Sequence, residues 1–271
     1  MWGKLKGKIG ELRSIIDLQR GEMLFFRGYE AALFFICLLY ERLKLRLPDS
    51  CKVVFRPVQL ENAQMQCRPG RKDVNVLKEV LLKKYHVCPD VKDPNVVLDL
   101  GANVGFTTAH YACLYPLAKI VAVEADMENH QAAISNTKSW KDRVSIERAA
   151  IWSHDGVVSL SGADEVSFSA SDCVPDEDSK GLRDDACPAM TIDSLLEKHE
   201  LKHVDFMKMD IEMAEYEVLL GTECKWARHV SVIMLEYHSG RYKELVDRLQ
   251  ELGFSCRKDG NHWSSIIAVQ L

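Results

Sequence analysis

Four ionisable side chains lie at the ends of two apolar runs in the C-terminal half of the chain. Asp210 and Glu212 end the run VDFMKMDIE, and Glu236 and His238 end the run SVIMLEYH. If both runs are parallel strands of one sheet, their carboxyl ends lie at the same edge. The four groups would then converge on one mouth, where they could move a proton or bind a cation.

Three interpretations of these side chains are open. His238 or a carboxylate could act as the general base that deprotonates a hydroxyl. Asp210, Glu236 and His238 could instead hold a divalent ion that lowers the pKa of that hydroxyl. In the third interpretation, Glu212 and Glu236 only bind loop backbone or orient Lys208.

A glycine loop upstream has the pattern of a ligand site. In VVLDLGANVGFTT, Asp99 ends a β-branched run, and Gly101 and Gly105 would let the backbone pass close under a ligand. The next apolar run, KIVAVEA, carries Glu124 twenty-five residues after Asp99. A carboxylate at that place can accept both hydroxyls of a ribose. The loop therefore predicts a ligand that contains a nucleoside.

The spacing of the loop discriminates between two such ligands. A dinucleotide site has the pattern G-x-G-x-x-G, whereas here Asn103 stands in place of the middle glycine. A side chain there obstructs a pyrophosphate, and Asp99 is ill suited to a diphosphate. S-adenosylmethionine carries a sulfonium and an ammonium but no phosphate. The loop therefore favours S-adenosylmethionine, with a nicotinamide-dependent oxidoreductase as the alternative.

Composition limits the partners. The chain has 271 residues, 47% of them hydrophobic, and a net charge of −5, which gives no support for a nucleic-acid partner. Its nine cysteines are scattered and form no CxxC, which predicts reduced thiols and a cytoplasmic location.

The run AALFFICLLY is too short to span a bilayer as a helix. It predicts a packed helix, and because the segment MWGKLKGKIG is basic, contact with a membrane surface is an alternative.

The elements that must position these residues alternate along the chain. From Val96 onward, strand-like runs are separated by helical patterns, which predicts an α/β fold with a mostly parallel sheet covered on both faces. Asp259-Gly260 predicts a C-terminal hairpin that adds an antiparallel strand at the edge.

VVSLSG predicts an added strand, and the acidic segment from Asp164 to Cys187 predicts a long loop that could cover an acceptor. Residues 1–66 are predicted to be a helical extension and residues 67–271 the main domain.

Three motifs together resemble a known family. VVLDLGANVGFTT, VAVEAD and FMKMDIEMAEYEVLLG are similar to the FkbM-type methyltransferases, a branch of the class I S-adenosylmethionine-dependent enzymes. The family pattern Lys-x-Asp-x-Glu-Gly-x-Glu is matched by Lys208, Asp210, Glu212 and Glu215. TIDSLLEKHELKHVDF also resembles the family. Arg68 and Asp73 fit an Arg…Asp turn upstream and are candidates for the substrate side.

The resemblance implies a seven-stranded Rossmann-like sheet and O-methylation of a hydroxyl on a small-molecule or sugar-containing acceptor. It implies that the cofactor is bound by Asp99, Gly101, Ala102, Asn103, Gly105, Glu124, Ala125, Ala150 and Asp210. The catalytic candidates stay Asp210, Glu212, Glu236 and His238.

One residue departs from the family pattern. The glycine after Asp-x-Glu is Met213 in this chain. We expect this side chain to leave the cofactor site intact and to alter the acceptor side. A second alternative function follows, a methyltransferase-like module that binds cofactor without turnover. The N-terminal extension is predicted to contribute to the acceptor pocket or to a homodimer contact.

Overall fold

The computed structural model describes residue 26 and residues 29–43, 51–164, 167–172, 186–238 and 240–271, with the backbone alone for residue 42 and residues 161–172. The chain divides into two compact units, residues 1–75 and residues 76–271. The helical patterns of residues 1–25 and 44–47 lie outside the described residues, as do residues 165–166 and 173–185 of the acidic segment. The extension of residues 1–66 as a separate domain stays a prediction.

The first unit contains the predicted helix over the apolar run, α1 (Tyr29–Arg42). The Phe34 ring on one of its faces packs against Phe26 and Phe55, at centroid distances of 4.6 and 5.3 Å. Phe55 ends the strand β1 (Val53–Phe55), which pairs antiparallel with β2 (Met65–Cys67). This aromatic cluster buries the helix face within the unit.

The two acids that bracket the apolar run anchor this helix. Glu30 accepts hydrogen bonds from the backbone N–H and the guanidinium of Arg56, at 2.8 and 2.9 Å. Glu41 accepts the backbone N–H groups of Val74 and Asn75, both at 3.0 Å. These N–H groups belong to the first turn of α2 (Asp73–Lys78), which has no intrahelical acceptor for them. The charges in an otherwise apolar sequence therefore hold the helix in place.

The second unit is built on a mostly parallel sheet, as the alternation predicted, and the sheet has the seven strands that the family resemblance implied. Its strands are β3 (Val96–Leu100), β4 (Lys119–Glu124), β5 (Val144–Arg148), β10 (Val204–Met209), β11 (Val230–Glu236), β12 (Phe254–Lys258) and β13 (Ser265–Gln270). Their order is β12-β13-β11-β10-β3-β4-β5, and β13 runs antiparallel to both of its neighbours. The predicted fold class and the antiparallel hairpin are thus confirmed.

The position of the antiparallel strand differs from the prediction. β13 lies one place inside the sheet, and β12 forms the edge. Ile266 and Ile267 of β13 are fully buried, whereas Arg257 and Lys258 of β12 are exposed. A charged strand protects a sheet edge from further pairing, which explains why the hairpin folds inward with its apolar strand.

Five helices connect the strands of this unit: α3 (Phe106–Leu114), α4 (Met127–Thr137), α5 (Ile192–Lys198), α6 (Ala214–Leu220) and α7 (Tyr242–Glu251). Two of them begin with a side-chain cap. Asp126 accepts the backbone N–H of Asn129 in front of α4, and Thr191 accepts that of Ser194 in front of α5. The helices bury the sheet's apolar side chains, among them Leu98, Val121 and Ile233. In the described ranges, no helix combines the length and the apolar content that crossing a membrane requires.

A second, four-stranded sheet corrects the predicted loop. Its strands are β6 (Ala150–Ile151), β7 (Gly156–Asp164), β8 (Ser167–Asp172) and β9 (Ala186–Met190), in the order β6-β9-β7-β8. The expected strand VVSLSG is present within β7. The segment from Asp164 to Cys187 was predicted to be a loop, but it contains β8 and the start of β9. In SFSASD, serine alternates with Phe168 and Ala170, which is a strand pattern that the acidic flanks obscure.

Candidate active site

The candidate site lies where the order of the central sheet reverses. β3 is the pivot, because β4 and β5 follow it on one side and β10 and β11 on the other. Asp99 in β3 is paired in register with Lys208 in β10. Ligands of open α/β sheets bind beyond the carboxyl ends of the strands at this kind of switch. The glycine loop and the KMDIE motif both begin here, as predicted.

The two glycines of the loop are required by neighbouring parts of the chain. Gly101 has a φ of +85°, and a Cβ on it would lie 1.8 Å from the carbonyl oxygen of Asp210. Gly105 has a φ of +81°, and its Cβ would lie 2.8 Å from the Cα of Ala133 in α4. We expected them to make room for a ligand. The structure adds a different reason, because the loop packs directly on β10's end and on α4.

A first cavity, of about 660 Å³, opens beside this loop. Six of the nine residues predicted to bind the cofactor line it: Gly101, Asn103, Glu124, Ala125, Ala150 and Asp210. Glu212, predicted as catalytic, lines it too. Residues that the sequence reasoning missed include Asn129, Leu160, Ile211 and Ala214. Ile211 stands between two predicted residues and could have been found, whereas Asn129 and Leu160 carry no motif.

Three predicted cofactor residues lie outside that lining. Ala102 is buried, and Gly105 packs on α4. Asp99 is fully buried and accepts a 2.6 Å hydrogen bond from the hydroxyl of Thr108. Its other carboxylate oxygen lies 3.4 Å from the ammonium of Lys208. Asp99 therefore acts on the site through Lys208.

Lys208 ties the two motifs together. Its ammonium donates to the carbonyl oxygen of Gly101 at 3.1 Å and pairs with Asp210 at 3.1 Å. Burial disfavours the charged form, but Asp210 and Asp99 outweigh this effect and raise the pKa of Lys208. The lysine is therefore a fixed positive charge under the loop.

Glu124 is held by the backbone of the loop that it faces. One carboxylate oxygen accepts the N–H of Asn103 at 2.7 Å, and the other accepts the N–H of Asp126 at 2.9 Å. Burial raises the pKa of Glu124 to about 7, although these two N–H groups oppose the shift. Each oxygen keeps a second lone pair, so the carboxylate can still accept hydroxyl groups from a ligand in the cavity.

The imidazole of His238 sits among three carboxylates. Its Nε2 lies 3.5 Å from Asp210 and 3.5 Å from Glu212, and its Nδ1 lies 3.1 Å from the buried Glu215. Burial lowers the pKa of His238, but Glu215, Asp210 and Glu212 raise it to about 9. In this arrangement the imidazole is protonated at neutral pH and donates hydrogen bonds.

The structure changes the set of residues that could hold a metal ion. Ligand atoms of Asp210, Glu212 and His238 all lie within 4.8 Å of one another. Glu236, which we had grouped with Asp210 and His238, instead accepts a 3.2 Å hydrogen bond from the hydroxyl of Ser264. A divalent ion at this cluster would need the neutral form of His238.

A second cavity, of about 1010 Å³, is also lined by Asp210. It is lined by the ends of β10 and β11, by the segment before β13 and by the residues that follow α2. Its polar and aromatic lining residues are Glu79, Lys83, Tyr85, His86, Thr107, Lys208, Asp210, Glu236, His262, Trp263 and Ser265. Among the residues that the structure describes, Asp210 alone lines both of these cavities.

Met213 has a left-handed backbone conformation, which favours glycine. Its φ is +78°, in the left-handed region, and the preceding Glu212 has a φ of +47°. The Met213 side chain is 45% exposed and lines neither cavity. The departure from the family pattern therefore strains the backbone, while the side chain contributes to the lining of neither cavity.

Two side-chain pairs bind each other: the predicted residues Arg68 and Asp73, and the histidines His86 and His110. In the first unit, the Arg68 guanidinium donates to both oxygens of Asp73, at 2.9 and 3.1 Å, as a buried bidentate pair. In the second unit, His110 is buried, and its Nδ1 lies 2.6 Å from the Nε2 of His86. A substrate role for Arg68 and Asp73 stays a prediction.

Comparison with known proteins gives a family match. Residues 99–256 match the family described as Methyltransferase FkbM domain. A curated relative, AMB antimetabolite synthetase AmbE of Pseudomonas aeruginosa, is 26% identical in an alignment 206 positions long that covers 60% of this chain and 10% of that protein. The chain thus spans about a tenth of the length of that relative.

Comparison with solved structures finds matches at low sequence identity. Precorrin-6y C5,15-methyltransferase of Geobacter metallireducens is 15% identical, with 73% of this chain and 89% of that chain covered and a TM-score of 0.40. Aeropyrum pernix fibrillarin, in complex with natively bound S-adenosyl-L-methionine, is 13% identical, with 84% and 86% covered and a TM-score of 0.41.

Proposed function

Because the chain belongs to the FkbM methyltransferase family, we propose that it transfers the methyl group of S-adenosylmethionine to a hydroxyl oxygen of a small-molecule or sugar-containing acceptor. Membership of this family decides between the two cofactors that the glycine loop allowed. The nicotinamide-dependent oxidoreductase is therefore set aside, and the acceptor is the part of the proposal that needs a test.

One observation carries the proposal: Asp210 lines two cavities at once. A methyltransferase has to bring an acceptor to the methyl group of a cofactor that occupies a separate space. The first cavity suits the cofactor, with Glu124 at the ribose and Ala150 toward the adenine. The second cavity suits the acceptor, and Asp210 lies at the junction where the methyl group has to pass.

The reaction is a direct displacement. The acceptor oxygen attacks the methyl carbon, the bond from that carbon to sulfur breaks, and sulfur keeps the electron pair as S-adenosylhomocysteine forms. Placing the two reactants in line supplies much of the acceleration. The hydroxyl proton has to leave during this step, because a neutral alcohol is a weak nucleophile.

We assign to Glu236 the role of the base that accepts the hydroxyl proton of the acceptor. Its carboxylate lines the second cavity, whereas the His238 side chain lines neither cavity. Asp210 already shares its charge with Lys208 and His238. Within the described part of the chain, Glu236 accepts one hydrogen bond, of 3.2 Å from Ser264, and has a more distant contact, 3.9 Å, with His262. It is therefore the carboxylate with acceptor capacity left for a hydroxyl.

The test is turnover by the purified full chain. The protein is incubated with S-adenosylmethionine and a panel of hydroxylated metabolites, and formation of S-adenosylhomocysteine and of the methylated product is followed by mass spectrometry. A methyl ether in the product supports the proposal. Tight cofactor binding without product from any acceptor would instead favour a cofactor-binding module.

The same assay with a chelator tests whether turnover requires a metal ion. With Glu236 as the base, turnover should persist in EDTA. If EDTA abolishes turnover and Mg²⁺ or Mn²⁺ restores it, the cluster of Asp210, Glu212 and His238 holds a functional ion, and the role given to Glu236 is wrong.

A further inference from the structure

We infer that the second cavity takes an acceptor that is a hydroxylated ring without an anionic group, stacked on the exposed Trp263 of its aromatic wall and bound through its hydroxyls by Asp210 and Glu236. This inference rests on the proposed function, because it names the class of acceptor for the same site. It predicts that the second cavity binds neutral and amine-bearing rings and excludes phosphorylated or carboxylated ones.

Aromatic rings form the wall of this cavity. The rings of Tyr85 and His262 lie 4.6 Å apart, centroid to centroid, and the Trp263 ring follows at 6.1 Å from His262. Tyr85 comes from the segment after α2, and the other two precede β13, so the fold brings them together over a long sequence distance. Flat rings of this kind offer their faces to the C–H face of a sugar or to another aromatic ring.

Trp263 is a residue of this wall whose side chain is accessible to a ligand. Its side chain is 83% exposed, whereas Trp140, Trp152 and Trp226 are buried. Its backbone is fixed, because its carbonyl oxygen accepts a 3.0 Å hydrogen bond from the hydroxyl of Tyr237. An indole held at a cavity mouth with most of its surface in water gains free energy when a ligand ring covers it.

The charges of the lining disfavour an anion. The ammonium of Lys83 pairs with Glu79 at 2.8 Å, and that of Lys208 pairs with Asp99 and Asp210 at 3.4 and 3.1 Å. Both lysines therefore have a carboxylate partner within the protein. An incoming phosphate would compete with these carboxylates for the same ammonium groups.

Two further ionisable groups of the lining strengthen this bias. Burial, His110 and Lys208 hold the pKa of His86 well below its usual value, so His86 adds no positive charge at neutral pH. Glu236 adds a carboxylate to the lining, beside that of Asp210. An acceptor with its own carboxylate would be placed near two like charges.

The same carboxylates suit hydroxyl groups. An ionised carboxylate only accepts hydrogen bonds, and each oxygen has two lone pairs. Asp210 and Glu236 lie at the ends of adjacent strands, β10 and β11. A ring with several hydroxyls offers donors to both side chains, and bonds of this charge-assisted kind are the stronger ones.

The experiment compares two probes that differ in one group. Phenyl β-D-glucopyranoside and phenyl β-D-glucuronide share both rings, and the second carries a carboxylate in place of a hydroxymethyl group. Binding to the full chain, saturated with S-adenosylhomocysteine, is measured by saturation-transfer NMR and calorimetry. The glucoside should bind at least about tenfold more tightly than the glucuronide. Equal or tighter binding of the glucuronide, or no binding of the glucoside, would overturn the inference.

Two variants test whether Trp263 in the cavity wall contacts the ligand. Trp263→Ala should weaken glucoside binding by about tenfold or more and leave the affinity for S-adenosylhomocysteine unchanged. The matched control is Leu117→Ala, which also truncates an exposed apolar side chain, 92% exposed, outside the lining. Glucoside binding that survives in Trp263→Ala refutes stacking on this residue.

Failure of this inference is distinguishable from failure of the proposed function. If the protein does not bind S-adenosylmethionine, the proposed function fails. If it binds the cofactor and methylates only phosphorylated or carboxylated acceptors, the proposed function holds and the acceptor class inferred here is wrong.

Discussion

The backbone at Gly101 and the carbonyl of Asp210 approach so closely that a Cβ on the glycine would lie 1.8 Å from the Asp210 oxygen. This contact joins the end of β3 to the end of β10. It fixes the cofactor loop against the residue that lines both cavities. The position of Asp210 relative to the loop is therefore set by backbone packing in the centre of the sheet.

Replacing Gly101 with alanine should destabilise the protein by about 3 kcal/mol or more. The new methyl group would overlap backbone that cannot move without breaking the sheet, and the residue would keep a φ of +85°. Urea unfolding followed by circular dichroism measures the change. Gly240→Ala is the control, because nothing lies within 4 Å of a Cβ there. Equal stability of the two variants would contradict the packing argument.

Replacing Glu124 with alanine should weaken binding of S-adenosylmethionine by about 2–3 kcal/mol, because a charge-assisted contact to the ribose is lost. Burial raises the pKa of Glu124 to about 7, so its ionised, stronger-accepting form is depleted as the pH falls. The wild-type affinity should therefore drop by about tenfold from pH 8 to pH 6, and the variant should show a flat profile. Calorimetry at several pH values checks both results.

The control for Glu124 is Glu128→Ala, an exposed acid in the first turn of α4. Glu124 also binds the backbone of Asn103, so the alanine variant releases the loop. Glu124→Gln keeps an acceptor for that backbone and removes the charge. Unchanged affinity in both Glu124 variants would place the ribose elsewhere.

Replacing Asp210 with asparagine should lower kcat by about 100-fold or more and change the Kd of the cofactor by less than about fivefold. Asparagine keeps the shape and one oxygen for Lys208 but loses the charge at the junction of the two cavities. Single-turnover kinetics and calorimetry separate the two quantities. Asp247→Asn, on the exposed surface of α7, serves as the control. Equal losses in kcat and affinity would make Asp210 a binding residue only.

Replacing Met213 with glycine should stabilise the protein by about 1 kcal/mol, because glycine adopts a φ of +78° without the clash of a Cβ. Turnover should stay within about twofold, since the side chain lines neither cavity. Thermal unfolding and the methyl-transfer assay measure these effects. A large gain in turnover would show that Met213 suppresses catalysis, as the cofactor-binding alternative requires.

Much of the fold and part of the candidate site follow from local patterns. Alternating strands and helices predict the sheet, and strand ends place Asp210 and Glu124 at one edge because parallel strands share a direction. The inner position of β13 does not follow, since a hairpin signal leaves open which strand pairs with the sheet. Tyr85 and Trp263 carry no motif, and only the folded chain brings them to one wall. The role of Gly101 depends on a contact with β10 that no local pattern encodes.

The buried pair of His86 and His110 should make the protein sensitive to acid. Their ring nitrogens lie 2.6 Å apart, and burial lowers the pKa of His110 to about 4 and that of His86 well below its usual value. Between pH 6.5 and 4 the unfolded chain binds protons that the folded chain excludes, so stability falls as the pH falls. At pH 5.5 the loss should be about 1 kcal/mol for each histidine, relative to pH 7.5. Urea unfolding at the two pH values measures it, with His110→Gln expected to remove about half of the effect and the exposed His203→Gln none of it. If the wild type loses no more stability between the two pH values than His110→Gln does, the folded pair can accept a proton, and the prediction is wrong.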